Sequence, residues 1–201
     1  MSSPTTVEQE QNEVWEPQSA LDILIALLYA EGNEGEKGES IEGITRLDKL
    51  MFLLSRSEEF KEIVNKGYNF EADNFGPFAP ELFDDIEALK QENILNIIST
   101  RQPNNRTEVA DEQIVIDPKE DDEPSDNDYP VNKYQLTNNG LQIGKYIWNG
   151  LNKKQKEKIL IIKKTWEKKN LIDLLHYVYK RYPETTEKSK IKEKVLSNRR
   201  E

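Results

Sequence analysis

Apolar residues recur every three or four positions along much of the chain, and this spacing predicts a mainly helical protein. The stripe over residues 44–56 extends almost all round the helix, which places that helix at the centre of the core. Ser57, Thr137 and Asn152 are suited to cap helices, because their side chains can accept hydrogen bonds from free backbone N–H groups. The expected helices cover residues 19–30, 44–56, 57–66, 80–92, 138–149, 153–170 and 171–182, with a frayed last helix after residue 186.

The other elements are organised around the stretch from Phe75 to Leu95. Gly76, Pro77 and Pro80 predict a structural turn, because glycine accepts backbone angles closed to other residues and proline fixes φ. A proline in the first helical turn costs no hydrogen bond, so we expect the helix to begin near Pro80. The apolar face of this helix consists of Leu82, Phe83, Ile86 and Leu89.

Strands are expected on both sides of a polar, acidic insertion. Residues 93–99 and 131–136 have the composition of strands, and the insertion between them, about residues 100–128, contains a further candidate strand at 113–116. A helix followed by strand, loop and strand is typical of a winged helix. We therefore expect a mainly α fold with minor β structure: a winged-helix-like core with a small β-hairpin wing and a helical C-terminal extension.

Composition and charge divide the chain into three parts. Residues 1–18 predict a disordered acidic tail, residues 19–150 the winged-helix-like domain and residues 151–201 a basic helical extension. Residues 152–201 carry 16 Lys and Arg against 7 Asp and Glu, a net charge of +9, whereas the remainder of the chain carries −19. Such a dipole indicates either a basic surface for phosphate or nucleic acid, or an acidic surface for a basic partner.

The residue types narrow the chemistry. The chain has no cysteine and one histidine, His176, so Cys-His catalysis is excluded and a Ser-His-Asp triad would depend on His176 alone. Its apolar neighbours favour a packed or capping histidine over a ligand or a partner contact. We expect no catalytic site, metal or cofactor. The polar start of the chain and the short apolar run over 21–30 predict neither a signal peptide nor a membrane span, and hence a cytoplasmic protein.

Carboxylates mark the helix over residues 80–92. Its acidic residues are Glu81, Asp84, Asp85, Glu87 and Glu92. In a DNA major groove they would lie beside phosphates, which makes the electrostatic contribution to affinity unfavourable. The same face suits a basic protein partner, such as a toxin, an effector or a nucleic-acid enzyme. A merely solvated acidic face accounts for the pattern equally well.

Lysines cluster near the start of the C-terminal extension. In an alternative interpretation they hold a nucleic-acid backbone, and the candidate contacts are Lys153, Lys154, Lys156, Lys163, Lys164, Lys168 and Lys169. Lysine without arginine favours diffuse phosphate contacts over base recognition. A solvated face that partly neutralises the acidic body explains the cluster equally well.

Three short stretches carry a family resemblance. They are TRLDKLMFLL at 45–54, FGPFAPEL at 75–82 and YQLTNNG at 134–140. In this order they resemble the Panacea domain, the SocA-like antitoxin family, and its YwgA-like relatives, over about residues 20–180. The resemblance implies a mostly helical, winged-helix-like domain without catalysis. It also implies an association with toxin neutralisation, with adaptor roles in proteolysis, or with mobile and antiviral loci.

Three classes of function follow from these patterns. The first is a non-enzymatic regulatory or interaction protein, antitoxin-like or adaptor-like, that binds a macromolecular partner through the acidic helix face. The second is a winged-helix transcriptional regulator that binds DNA through the wing and the basic C-terminal region. The third is a structural subunit of a larger assembly. The oligomeric state stays open, a dimer included.

Overall fold

A computed structural model describes residues 16–103 and 128–197, and most of these residues are helical. The α-helices are α1 (Ala20–Tyr29), α2 (Ile44–Ser55), α3 (Lys61–Val64), α4 (Pro80–Gln91), α5 (Asn138–Gly150), α6 (Lys153–Trp166), α7 (Leu171–Arg181) and α8 (Lys192–Ser197). A 3-10 turn over Pro183–Thr186 separates α7 from α8. The predicted mainly α fold with minor β structure is confirmed.

Two small antiparallel sheets accompany the helices. Strands β1 (Ile41–Glu42), β4 (Leu95–Pro103) and β5 (Asp128–Leu136) form one sheet in the order β1-β5-β4, and β2 (Glu71–Asp73) pairs with β3 (Gly76–Phe78) in the other. The β4–β5 hairpin follows α4, at the place predicted for the wing. Its ladder extends from Leu95 opposite Leu136 to Pro103 opposite Asp128, so both arms are longer than the sequence indicates.

Helix ends follow local chemistry closely. The side chain of Thr137 accepts from the backbone N–H of Gly140, and Asn152 and Gln155 form a reciprocal capping box at the start of α6. Helix α4 begins at Pro80, as predicted. The helix expected over residues 57–66 shortens to α3, because the residues after Ser57 form turns before the helix begins at Lys61.

The predicted turn at Gly76 and Pro77 is wrong in detail, because both residues lie in strand β3. The turn itself occupies residues 74–75. Gly76 has a φ of +91°, and a Cβ on it would lie 2.7 Å from the ring of Tyr179 on α7. Glycine is therefore required twice here, by the backbone conformation and by the close approach of an aromatic ring.

The C-terminal helices belong to the same hydrophobic core as the rest of the described chain. Ile159 and Ile162 of α6 and Leu174 and Val178 of α7 are buried in one cluster with α1 and α2. Arg46 of α2 ties the segments together, because its guanidinium donates to the carbonyls of residues 166 and 169 at 2.7 Å each. The predicted boundary at residue 150 therefore does not separate an appendage from a core.

Several predictions fall outside the described residues. These are the disordered tail over residues 1–15, the bulk of the acidic insertion over 104–127 with its candidate strand at 113–116, and the last residues 198–201. Strand β1 lies within the described part and was not predicted. It is two residues long, with Ile41 opposite Tyr134 and Glu42 opposite Lys133, which is too short for a period to show in the sequence.

Candidate functional site

The three stretches that carry the family resemblance meet around one cavity of about 540 Å³. The first contributes Thr45, Asp48 and Lys49 from α2, the second contributes Phe75, Gly76 and Phe78 from the β2–β3 hairpin, and the third contributes Tyr134 from β5. The walls are completed by Gly43, Ile44, Asp73, Asn74, Phe83, Ile86, Glu87, Ile97, Val131 and Asn132. The fold thus brings separate parts of the chain to a single concave site.

A buried ion pair lies in the wall of this cavity. Lys49 Nζ is 2.7 Å from Asp48 Oδ2 and donates a second hydrogen bond of 2.7 Å to the carbonyl of Pro77. Burial raises the pKa of the Asp48 carboxyl, while the adjacent ammonium acts in the opposite direction. The pair attaches the β2–β3 hairpin to α2 and leaves this wall with compensated charge. The nearly all-apolar surface of α2 was the available signal, since a helix buried all round also buries its charged residues.

The acidic residues of α4 divide into two groups. Asp84, Glu87 and Glu92 are exposed, whereas Glu81 and Asp85 are half-buried. The hydroxyl of Tyr68 donates to Asp85 Oδ2 at 2.8 Å, and burial raises the pKa of the Asp85 carboxyl. Glu81 accepts a long hydrogen bond of 3.4 Å from the backbone N–H of residue 69. We call Asp84, Glu87 and Glu92 the α4 acidic face.

Glu87 belongs to both features, because it lies on the α4 acidic face and lines the cavity. Its carboxylate is 3.3 Å from Lys90 Nζ, and both side chains are about half exposed. Asp73 of β2 is a second acid in the cavity lining. The cavity therefore has mostly apolar walls, one compensated ion pair and two further carboxylates.

The prediction that Lys163 contacts nucleic acid is wrong. Its side chain is fully buried, and its ammonium donates to the carbonyls of Leu28 at 3.2 Å, Ala30 at 2.7 Å and Glu39 at 3.0 Å. Burial lowers the pKa of Lys163 to about 8. A signal was present in the sequence, because position 163 follows Ile159 by four residues on the buried stripe of α6.

Most of the other candidate lysines have partners within the chain. Lys164 pairs with Glu31, and Lys168 Nζ lies 3.1 Å from a carboxylate oxygen of Glu34. The ammonium of Lys169 lies 4.9 Å from the ring centroid of Trp166. The N-terminal turn of α6 is more open: Lys153 and Lys154 are exposed, and Lys156 donates a 3.5 Å hydrogen bond to the carbonyl of Asn149.

The glycine- and glutamate-rich loop before β1 is organised by one buried acid. The carboxylate of Glu39 accepts hydrogen bonds of 3.0 Å from the backbone N–H groups of Gly32, Glu34 and Glu36. These N–H groups lower the pKa of Glu39 against the effect of its burial. Glu167, the residue that follows α6, is also buried, and its carboxylate accepts from the N–H of Asn33 at 3.2 Å. This arrangement has no signal in the sequence, since the loop has no apolar period.

The remaining features give no support for a catalytic, metal-binding or membrane role within the described residues. His176 is half-buried on α7, in keeping with a packed position. Over the described ranges 16–103 and 128–197, His, Cys, Asp and Glu form no group of three or more suited to a metal ion. Within the same ranges, each helix falls short of the length and apolar character that crossing a membrane requires.

Comparisons of the chain with protein-family models, with curated proteins and with solved structures find no significant match. The resemblance to the Panacea domain thus stays a prediction from three stretches of sequence.

Proposed function

We propose that this chain is a regulatory protein that acts by binding a basic macromolecular partner, through the α4 acidic face and the cavity beside it. The observation that carries the proposal is the continuity of the two features at Glu87, where exposed carboxylates adjoin an open apolar cavity. Electrostatic steering by such a face speeds encounter, and apolar burial then stabilises the complex.

The charged surfaces support a protein partner over DNA. A winged helix that reads DNA commonly places the helix before the wing in the major groove, and here that helix is α4, whose exposed carboxylates would meet phosphates. The lysines that the DNA interpretation needs are reduced in number, because Lys163 is buried. The charges of Lys164 and Lys168 are in addition partly compensated by neighbouring glutamates. Among the candidate lysines, Lys153 and Lys154 in the first turn of α6 and Lys169 after the helix stay exposed without a glutamate at the distance of Lys164 and Lys168.

The kind of regulation we propose is antitoxin-like or adaptor-like, in the cytoplasm and without catalysis by this chain. Two observations support membership of the Panacea domain. The three stretches that resemble it converge on one cavity, and the β4–β5 hairpin follows α4 in the position of a wing. A toxin, an effector or a nucleic-acid enzyme with a basic surface is the partner class that the α4 acidic face fits.

The test compares three forms of the full-length chain: the natural sequence, a variant with Asp84→Lys and Glu92→Lys, and a control with Lys153→Glu and Lys154→Glu. All four substituted side chains are exposed. Each form is used as bait in extracts of the source cells, and each is titrated with labelled duplex DNA at low and at physiological salt. We expect a protein retained by the natural chain and by the control, and lost from the α4 variant.

Two outcomes would favour one of the other two classes of function instead. Duplex binding that weakens steeply with salt and disappears in the lysine variant would establish the DNA regulator, since phosphate contacts release counterions. Co-purification with fixed subunits in constant stoichiometry, unaffected by either variant, would establish a structural subunit.

A further inference from the structure

We propose that the cavity between α2, the β2–β3 hairpin, α4 and the wing receives an apolar side chain from a linear segment of the partner, and that Lys or Arg residues flanking this side chain bind Asp73 and Glu87. This inference rests on the proposed function. It identifies the chemistry by which the partner is recognised.

The cavity has the size and the walls for an apolar anchor. Its volume of about 540 Å³ lies within the usual range of ligand pockets, roughly 300–1,000 Å³. The three phenylalanines of its lining, Phe75, Phe78 and Phe83, are only half-buried. The rings of Phe78 and Phe83 are tilted against each other with centroids 4.9 Å apart. Covering such rings with an aromatic or large aliphatic side chain removes apolar area from water.

The charged residues of the cavity lining determine which charge is favoured on the residues that flank the apolar anchor. The lining contains Asp48, Lys49, Asp73 and Glu87. Asp48 and Lys49 compensate each other at 2.7 Å, which leaves two carboxylates in excess. The contact of Glu87 with Lys90 is a solvent-exposed pair at 3.3 Å, and such pairs contribute little. A cationic segment is therefore favoured and an anionic one is repelled.

The extent of the acidic surface argues for a chain segment rather than a small cation. Glu87 lies in the middle of α4, with Asp84 one turn before it and Glu92 beyond the end of the helix. A segment anchored in the cavity can place basic residues against Glu87 and its neighbour one turn away, Asp84, whereas a small ligand would use the cavity alone. Short linear motifs commonly combine one or two apolar anchors with charges that set specificity.

The experiment selects random linear peptides displayed on phage against the full-length chain, and then measures labelled selected peptides by fluorescence anisotropy. Two pairs of variants are matched. Glu87→Lys, in the cavity lining, is compared with Glu62→Lys, an exposed position on α3 that lies outside both the cavity lining and the α4 acidic face. Phe78→Ala is compared with Ile161→Ser, which removes an apolar side chain that is 61% exposed on α6. Circular dichroism checks that each variant is folded.

We expect selected peptides with an apolar residue flanked by Lys or Arg, and binding that falls at least about tenfold in Glu87→Lys and in Phe78→Ala, which corresponds to about 1.4 kcal/mol or more. The control variants should change binding by less than about threefold, or about 0.6 kcal/mol. Failure to select peptides, an acidic consensus, or binding insensitive to both cavity variants would overturn the inference. A dimer that dissociates in Phe78→Ala would also overturn it, because a second copy of this chain would then be the occupant.

Failure of this inference is distinguishable from failure of the proposed function. Peptides or a natural partner that are lost with Asp84→Lys and Glu92→Lys, yet retained by Phe78→Ala and Glu87→Lys, would leave binding by the α4 acidic face intact without the cavity. Indifference to all of these changes would contradict both.

Discussion

Replacing Lys163 with methionine tests the most consequential difference between the sequence and the structure. Methionine keeps an unbranched side chain of similar length but removes the ammonium group. In the folded chain that group donates to three backbone carbonyls, on residues 28, 30 and 39, at distances between 2.7 and 3.2 Å. These carbonyls belong to the end of α1 and to the loop before β1, so Lys163 joins α6 to the N-terminal half of the chain.

The magnitude follows from two opposed effects. Hydrogen bonds to a charged donor contribute roughly 1.5–3 kcal/mol each, but keeping an ammonium out of water costs several kcal/mol, so the three bonds do not add in full. Methionine avoids that cost and leaves three buried carbonyls without their donor. It also removes a cation that interacts electrostatically with the buried carboxylates of Glu39 and Glu167. Breaking a buried charge arrangement on one side typically costs about 3–5 kcal/mol, a large part of the roughly 5–15 kcal/mol that stabilises a domain.

The assay is urea unfolding followed by the fluorescence of Trp148 and Trp166, which are both half-buried. The matched control is Lys164→Met, because Lys164 is the next residue of α6 and pairs with Glu31 at the surface. We expect a loss of about 3–5 kcal/mol for Lys163→Met and at most about 1 kcal/mol for the control. Equal losses of unfolding free energy in the two variants would refute the buried role of Lys163. Lys163 would then again be a candidate for contact with phosphate.

Three further predictions concern buried or half-buried polar groups. The Cβ introduced by Gly32→Ala would collide with the buried carboxylate of Glu167, and urea unfolding should show a loss of about 1–3 kcal/mol. Tyr68→Phe removes a 2.8 Å hydrogen bond to Asp85, so carboxyl carbon NMR should show the pKa of Asp85 rising further. Burial lowers the pKa of Lys163 to about 8 from its ordinary 10.5, so between these pH values the unfolded chain binds a proton that the folded chain has released. The stability of the natural chain should therefore rise with pH across this window relative to Lys163→Met, and a constant difference in urea unfolding would contradict the shift.

Helix positions were predictable because their causes are local. The spacing of apolar residues sets the buried face, and Thr137, Asn152 and Pro80 mark helix starts through hydrogen bonds or φ angles that involve only a few neighbouring residues. The pairing of β4 with β5 was predictable for the same reason, since their branched residues flank a polar segment. Here local propensity and tertiary structure agree.

The candidate site was less predictable because its parts are distant in the chain. The stretches around Lys49, Gly76 and Tyr134 form a pattern in the sequence, but their meeting at one cavity depends on how the β2–β3 and β4–β5 hairpins are placed relative to α2. Likewise, nothing local distinguishes Lys163 from Lys164 except its place on the buried stripe of α6. Because the region contains eight lysines, the sequence alone suggests that every one of them is exposed to solvent. Whether a particular lysine is buried depends on how its helix packs, and Lys163 is buried.

The same packing changes the meaning of the charge dipole. From the sequence alone, the basic C-terminal part and the acidic remainder suggest two charged surfaces, each available to bind a partner of opposite charge. In the structure, Lys164 and Lys168 lie against Glu31 and Glu34 of the N-terminal half, so part of the asymmetry is neutralised between segments of one chain. The carboxylates of α4 are not drawn into this arrangement, and Asp84 and Glu92 face solvent. Internal pairing therefore weakens the case for a basic nucleic-acid surface more than the case for an acidic protein-binding one, and it makes reversal of the α4 charges the most discriminating perturbation.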